Sequence, residues 1–353
     1  MFSDFCKNKN TIVQIILCFF LFWGVSAFAQ TQKDTPRNNE GIYDFLRRNN
    51  RTESEYYKQF LELNKGKFGK DNALLLGVEY TLPPLKDKKK ASKSKKEVKK
   101  EPEIRKNPLF GKKYEEYTVK SQQLKGACFF LSSGHGGPDP GAVGTIGDKT
   151  LYEDEYAYDI ILRLARRLLE EGAKVYVIIQ DASDGIRDEA YLSGSSNETC
   201  MGDAIPFDQT ARLKQRADKI NSFSRKAKEK YQRAIFLHLD SRSKEQRLDV
   251  FFYYAKGSVG GEQLANTMKD TFGEQYNNSQ PLRGFRGTVS SRNLYVLTHT
   301  KPVGLFSELG NIQNGFDQQR FISENNRQAL ANWLCKGLIK DYINNANQQL
   351  RIR

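Results

Sequence analysis

The chain has 353 residues, a formal net charge of +14 at pH 7, and is 38% hydrophobic. That length fits one large domain with a small companion, or two medium ones, and the apolar fraction is ordinary for a globular protein with a polar tail or linker. The basic balance suits a polyanionic partner such as nucleic acid, anionic lipid or cell-wall polymer. The five cysteines form no C-x-x-C pair, so neither a cysteine-based zinc site nor a dense disulfide framework is supported.

Residues 1–29 read as a signal peptide. Lys7 and Lys9 precede an apolar run over residues 11–23 that is short for a membrane span, and Ala27-Phe28-Ala29 supplies an A-x-A cleavage signal. Cleavage after Ala29 leaves no membrane-spanning segment and three cysteines, Cys128, Cys200 and Cys335; an uncleaved anchor is the alternative. The mature chain is then expected outside the cytoplasmic membrane, periplasmic or cell-wall associated. Residues 30–83 form a small N-terminal region, with a helix expected over 54–64 and a short strand near 77–82. The stretch YYKQFLELNK…LLLGVEYTLP resembles the second half of a LysM glycan-binding module, and a plain helical spacer explains the same residues. Residues 84–106 hold ten lysines and one arginine against four acidic residues, half of the net charge of the whole chain. With little to bury, this segment is expected to be a disordered linker. It serves either as a tether to an anionic surface or as a solvated spacer, and it weakens any nucleic-acid argument built on overall charge.

From residue 107 to residue 353 short apolar runs alternate with amphipathic stretches. Strands are expected at 127–133, 174–180, 233–239, 248–254, 293–297 and 303–307, and helices at 153–171, 209–230, 261–272 and 326–343. This alternation predicts an α/β domain: a mixed, largely parallel sheet flanked by helices. No internal repeat is visible.

The chemistry-bearing residues fall at the ends of these strands. His135 sits in the glycine-rich loop SSGHGGPDPGAVG, His238 ends AIFLHLDS, and the third histidine, His299, lies in the polar stretch LTHTKP. Open α/β sheets bind ligands at the carboxyl ends of their strands, so His135 and His238 can share one crevice. A catalytic zinc takes three protein ligands and leaves an open position. Glu153, opening a helix after the His135 loop, offers the third, and Glu155 in the same EDE run is a nearby alternative. Glu308 ends another strand, where a carboxylate beside the metal can act as general base. Each residue also has a plainer reading: a turn histidine, a core histidine, two carboxylates at helix or strand ends.

The ordered set GHGGPDPGAVG, YEDEYAYDIILRLARRL, RLKQRADKIN, IFLHLDS and PVGLFSELGNIQN resembles the type-3 N-acetylmuramoyl-L-alanine amidase family over about residues 125–345. The resemblance implies zinc ligands at His135, Glu153 and His238, a catalytic Glu308, and substrate contacts at Arg216 and Asn314, with Asn221 matching a further family position. It also implies the bond, the amide between N-acetylmuramic acid and L-alanine in peptidoglycan. Four positions depart from the family pattern: Ser132-Ser133, Gln180-Asp181, Asp240 and Asn311. Residues 184–208 form a longer connection than is usual there, of a kind that often serves as a lid or binding element. Two rival readings remain: another secreted zinc hydrolase such as a peptidoglycan peptidase, disfavoured by the lack of an H-E-x-x-H helix, and a non-catalytic cell-wall binding protein, disfavoured by Glu308.

Overall fold

The computed structural model describes residues 32–37, 40, 42–51, 54–69, 73–85, 103–280 and 283–352. The expected signal peptide and most of the expected linker, residues 86–102, lie outside the described residues. The chain divides into two compact units, residues 1–97 and 98–353.

The first unit runs strand–helix–helix–strand: β1 (Lys33–Asp34), α1 (Ile42–Arg48), α2 (Ser54–Leu63) and β2 (Tyr80–Thr81). The strands pair antiparallel, Lys33 opposite Thr81 and Asp34 opposite Tyr80. So small a segment has few apolar residues to bury, and it concentrates them in aromatic rings. Phe45, Phe60 and Tyr80 are fully buried, with Phe60 5.5 Å from Phe45 and 5.7 Å from Tyr80 between ring centres. Asn64, just past α2, joins helix to strand. Its amide donates to the carbonyls of Phe60 and Thr81, and its oxygen accepts from the Thr81 N–H.

The second unit opens with β3 (Ile104–Lys106), β4 (Glu116–Thr118), β5 (Ala127–Ser133), β6 (Val143–Ile146), β7 (Lys149–Tyr152) and α3 (Glu153–Glu170). It continues through β8 (Lys174–Val177), β9 (Ile179–Gln180), β10 (Thr199–Cys200), β11 (Asp203–Ala204), α4 (Gln209–Lys226), β12 (Tyr231–Asp240) and β13 (Phe251–Tyr254). It ends with α5 (Val259–Ser279), β14 (Thr288–Ser291), α6 (Tyr295–His299), β15 (Val303–Asn311), α7 (Gly315–Ile322) and α8 (Glu324–Ile352). Six strands form the central sheet in the order β14-β13-β15-β12-β5-β8. All neighbours run parallel except β13 against β15.

Both faces of this sheet are covered, which is why its strands read as nearly continuous apolar runs. Along β5, Phe129 and Leu131 pack on one side with α3, α5 and α8, while Cys128 and Phe130 pack on the other with α4 and α6. The parallel order β15-β12-β5 brings the carboxyl ends of three strands side by side. The β6–β7 hairpin then returns the chain there, so that α3 begins beside the same strand ends.

The expected strand at 293–297 is a correction: Tyr295–His299 is a one-turn helix. The run NLYVL has strand-forming residues, but Val296 and Leu297 bury against the α4 face of the sheet, and this packing overrides local preference. The sheet position goes to Thr288–Ser291, which pairs with β13. The end of the expected linker carries a strand, Ile104–Lys106, which pairs antiparallel with Glu116–Thr118. The expected strand 174–180 breaks at Ile178: β8 joins the main sheet, and β9 joins a separate sheet with β10 and β11. No helix among the described residues is long and apolar enough to cross a membrane.

Candidate metal centre

His135, Glu153 and His238 converge, with one donor atom of each within 4.8 Å of the others. Nε2 of His135 lies 3.3 Å from Glu153 Oε2, and Nδ1 of His238 lies 2.9 Å from Glu153 Oε1. The two imidazoles stand 5.1 Å apart between ring centres at 77°, the splayed arrangement of side chains aimed at a common point.

The glycine-rich loop makes this approach feasible. A Cβ on Gly134 would run into the His238 ring, and one on Gly141 would lie 2.6 Å from Glu153 Oε2. His135 itself adopts φ +58°, an uncommon conformation for a residue with a side chain. Its neighbours fix it there: Asp139 Oδ2 holds Nδ1 at 2.9 Å, and Arg216 donates to the His135 carbonyl. Asp139 is in turn gripped by Arg212 at 2.7 Å. A metal-binding histidine commonly presents one ring nitrogen to the metal and the other to a carboxylate. Here Asp139 takes Nδ1 and leaves Nε2 towards Glu153. Glu153 is oriented by two N–H donors, Ala142 at 2.8 Å and Leu239 at 3.1 Å, and His238 stacks on Phe306 at 4.2 Å.

Protonation in the cluster follows from this crowding. Burial works against a charged His135, but the Asp139 and Glu153 carboxylates outweigh it and push the imidazole up to about 10. Burial likewise opposes the Glu153 anion, yet the two imidazoles hold its carboxyl well below the usual carboxylate range. Burial pushes the His238 imidazole down despite its contact with Glu153. Two imidazoles and a buried anionic carboxylate, with a proton standing in as the shared cation, are a donor set that suits zinc.

Glu308 stands beside this cluster. On β15 it pairs in register with His238 on β12 and with Phe251 on β13. Its Oε2 is buried and has no hydrogen-bond partner. Burial, then Glu153 and Asp240, pushes its carboxyl up to about 8. An unused acceptor beside a metal-ligand set is available to a water or a substrate proton. A pocket of about 190 Å³ opens next to the cluster, lined by His135, Arg212, Arg216, His238, Tyr295 and Phe306 among others.

The other sequence-chosen residues make the following contacts. Glu155 faces away from the imidazoles, 2.8 Å from Arg187, so Glu153 alone of the EDE pair reaches them. Asn314 caps α7, accepting from Phe316 and Asp317 N–H and donating to the Lys244 carbonyl. Arg216 lines the pocket but is 5% exposed, and its observed bond positions the His135 loop. Asn221 ties α4 to the segment before β15 through His299 O and Lys301 N. His299 stacks on Tyr295, apart from the cluster. Two departures from the family pattern have structural uses: Asn311 bonds Arg242 N and the Ser243 and Gln246 carbonyls, and Asp181 anchors Ser183, Asp184 and Ser195. The sequence reading passed over Asp139 and Arg212; the signal was an aspartate four residues after the loop histidine.

Solved structures of similar fold include an N-acetylmuramoyl-L-alanine amidase from Clostridium difficile 630, at 22% identity and TM-score 0.44, over 61% of this chain and 95% of that one. Another comes from Nostoc punctiforme, at 21% and 0.44, over 64% and 99%. A third is the catalytic domain of an amidase from Bacillus (Paenibacillus) polymyxa, at 19% and 0.44, over 62% and 98%. No curated protein matches the chain in sequence. A family profile described as N-acetylmuramoyl-L-alanine amidase matches residues 130–340, more than half of the chain, and spans every residue of the cluster, so the protein belongs to that amidase family.

Proposed function

We propose that this protein is a zinc-dependent peptidoglycan hydrolase that cleaves the amide between N-acetylmuramic acid and L-alanine. The observation that carries the reading is the buried, unpartnered Oε2 of Glu308, a residue set in register with His238, one member of a three-residue candidate metal-ligand set.

Nε2 of His135, Nδ1 of His238 and the Glu153 carboxylate would hold the ion. Zinc so held supplies Lewis acidity towards a water and a carbonyl oxygen. Asp139 keeps the His135 ring turned so that Nε2 faces inward, and Arg216 holds the loop behind it. Glu308, anionic beside a bound cation, takes a proton from the attacking water. The oxygen adds to the lactyl carbonyl, the C–N bond breaks, and Glu308 returns the proton to the departing amine of L-alanine. The pocket beside the cluster receives one side of the scissile bond.

The N-terminal unit, with Asn64 at the end of its second helix, fits a glycan-binding role on the same substrate. The Lys-rich segment fits a tether to anionic surfaces, and the N-terminal 29 residues fit export across the cytoplasmic membrane. Nucleic acid has no place in this reading. Digestion of purified sacculi with and without a chelator tests it. Free L-alanine amino termini and intact lactyl groups are expected, only when metal is present. New termini within the crosslinks alone would make the protein a peptidase, and no digestion would make it a binder.

A further inference from the structure

A second acidic group begins one residue past Glu153. Asp154 and Glu155, in the first turn of α3, meet Glu198 from the long 184–208 connection, with one carboxylate oxygen of each within 4.8 Å of the others. All three are buried, at 3%, 1% and 6% exposure. Among the described residues Arg187, 2.8 Å from Glu155 Oε2, is the one cationic side chain in contact with them. Backbone N–H groups reach three of the other oxygens: Ser195 donates to Glu155, Gly137 to Glu198, and Glu155 to Asp154 Oδ1. Asp154 Oδ2 is buried with no hydrogen-bond partner at all. Three carboxylates therefore share one guanidinium, and an orphaned oxygen belongs to Asp154, one of the two that it does not contact. Buried carboxylates in such a balance are neutralised by a bound cation or by protons.

We propose that Asp154, Glu155 and Glu198 form a site for a second divalent cation, Ca²⁺ by ligand type. An all-oxygen set selects a hard ion, where the imidazoles of the neighbouring cluster select zinc. Ca²⁺ is readily held by several protein carboxylates and carbonyls in flexible geometry, whereas Mg²⁺ keeps several waters and is seldom held by a dedicated protein cage.

The three residues come from two separated parts of the chain, and Glu198 also holds Gly137 in the loop that carries His135, at 2.8 Å. The ion is thus a clamp. It fastens the long connection to the head of α3 and, through Gly137, braces the zinc loop. It takes no part in amide hydrolysis, and its loss leaves the His135–Glu153–His238 set chemically intact.

The test uses the full mature chain, loaded with zinc and freed of other metals, then dialysed against millimolar CaCl₂ and analysed for both elements. One calcium per chain is expected beside the zinc, with a dissociation constant on the order of 10⁻⁴ M and a thermal midpoint that rises with calcium. Asp154→Asn and, separately, Glu198→Gln should lose the calcium and its thermal effect while retaining zinc. Wild-type protein that binds no calcium overturns the proposal whatever the variants do. So does calcium bound equally by both variants. A calcium-independent wild type that Asp154→Asn stabilises also overturns it, since a shared proton then holds the carboxylates together.

Discussion

Two acidic clusters share the first turn of α3 and differ in almost everything else. Glu153 turns towards two imidazoles on neighbouring loop and strand, whereas Asp154 and Glu155 turn towards a third carboxylate from the long connection. Successive helical residues point about 100° apart, so one short run of acids serves two sites. The helix dipole favours all three anions, by about 0.3–1 kcal/mol each. That falls well short of the several kcal/mol needed to take an ion out of water, so each cluster requires its own counter-charge. Histidines can supply that charge as protons in one cluster. In the other, Arg187 is the sole cationic contact among the described residues. Ligand identity, more than total charge, separates a site for a borderline metal from a site for a hard one.

The sharpest way to break this contrast is to remove an imidazole. His238→Ala should drop zinc from one per chain to near zero, with activity lost, because two remaining ligands hold the ion poorly. Elemental analysis checks it, with His299→Ala as the control that keeps its zinc. Retention of zinc by His238→Ala would mean that His238 is not a ligand and that the triad is wrongly assigned.

A smaller effect separates ligand from base. Glu308→Gln should keep zinc near one per chain while the rate falls by about 10²–10⁴. Glu153→Gln should instead weaken zinc binding, and excess zinc should restore part of the rate. Zinc content and turnover measured on both variants decide the assignment, and the opposite pattern exchanges the two roles.

Smaller again is the contribution of Asp139. Asp139→Asn keeps the side-chain volume but weakens the hold on His135 Nδ1, and zinc affinity should fall by about 10–100-fold. A competitive chelator titration measures this. An unchanged affinity would show that loop packing alone orients the ring.

The smallest expected effect is on the pH dependence of the metal-free protein. Folding raises the His135 imidazole to about 10 from its ordinary 6.5. The stability it contributes is therefore complete below pH 6.5 and is lost as the pH rises through 10. Glu308, raised from 4.5 to about 8, acts in the same direction over its own range. The thermal midpoint of the metal-free chain should fall between pH 6.5 and 10, and Asp139→Asn should flatten that slope. A midpoint that rises over this range would contradict the His135 protonation described here.

The triad was legible in the sequence because each member sits where a regular pattern stops: a glycine loop after one strand, the end of another, the start of a helix. In an open α/β sheet the carboxyl ends of the strands border a crevice, where a polar side chain can meet a ligand. Glu198 was not legible, because nothing in SSNETC marks its return to α3, and only the packing of the connection brings it there. Asn314 matched a family position without revealing that it caps a helix. Residues 293–297 read as a strand because β-branched and aromatic composition cannot distinguish a strand from one buried helical turn.

The triad is also unevenly anchored in time. His238 and Glu308 lie on adjacent central strands, flanked by β5 and β13, so their amides should exchange with solvent only on global unfolding. His135 lies on a loop tied to β12 by a backbone bond from Gly134 to Leu237 and otherwise held by the side chains of Asp139, Arg216 and Glu198, and such a loop can open while the sheet stays closed. Metal exchange should therefore begin at His135, with a rate set by local opening of the glycine loop and not by the stability of the domain.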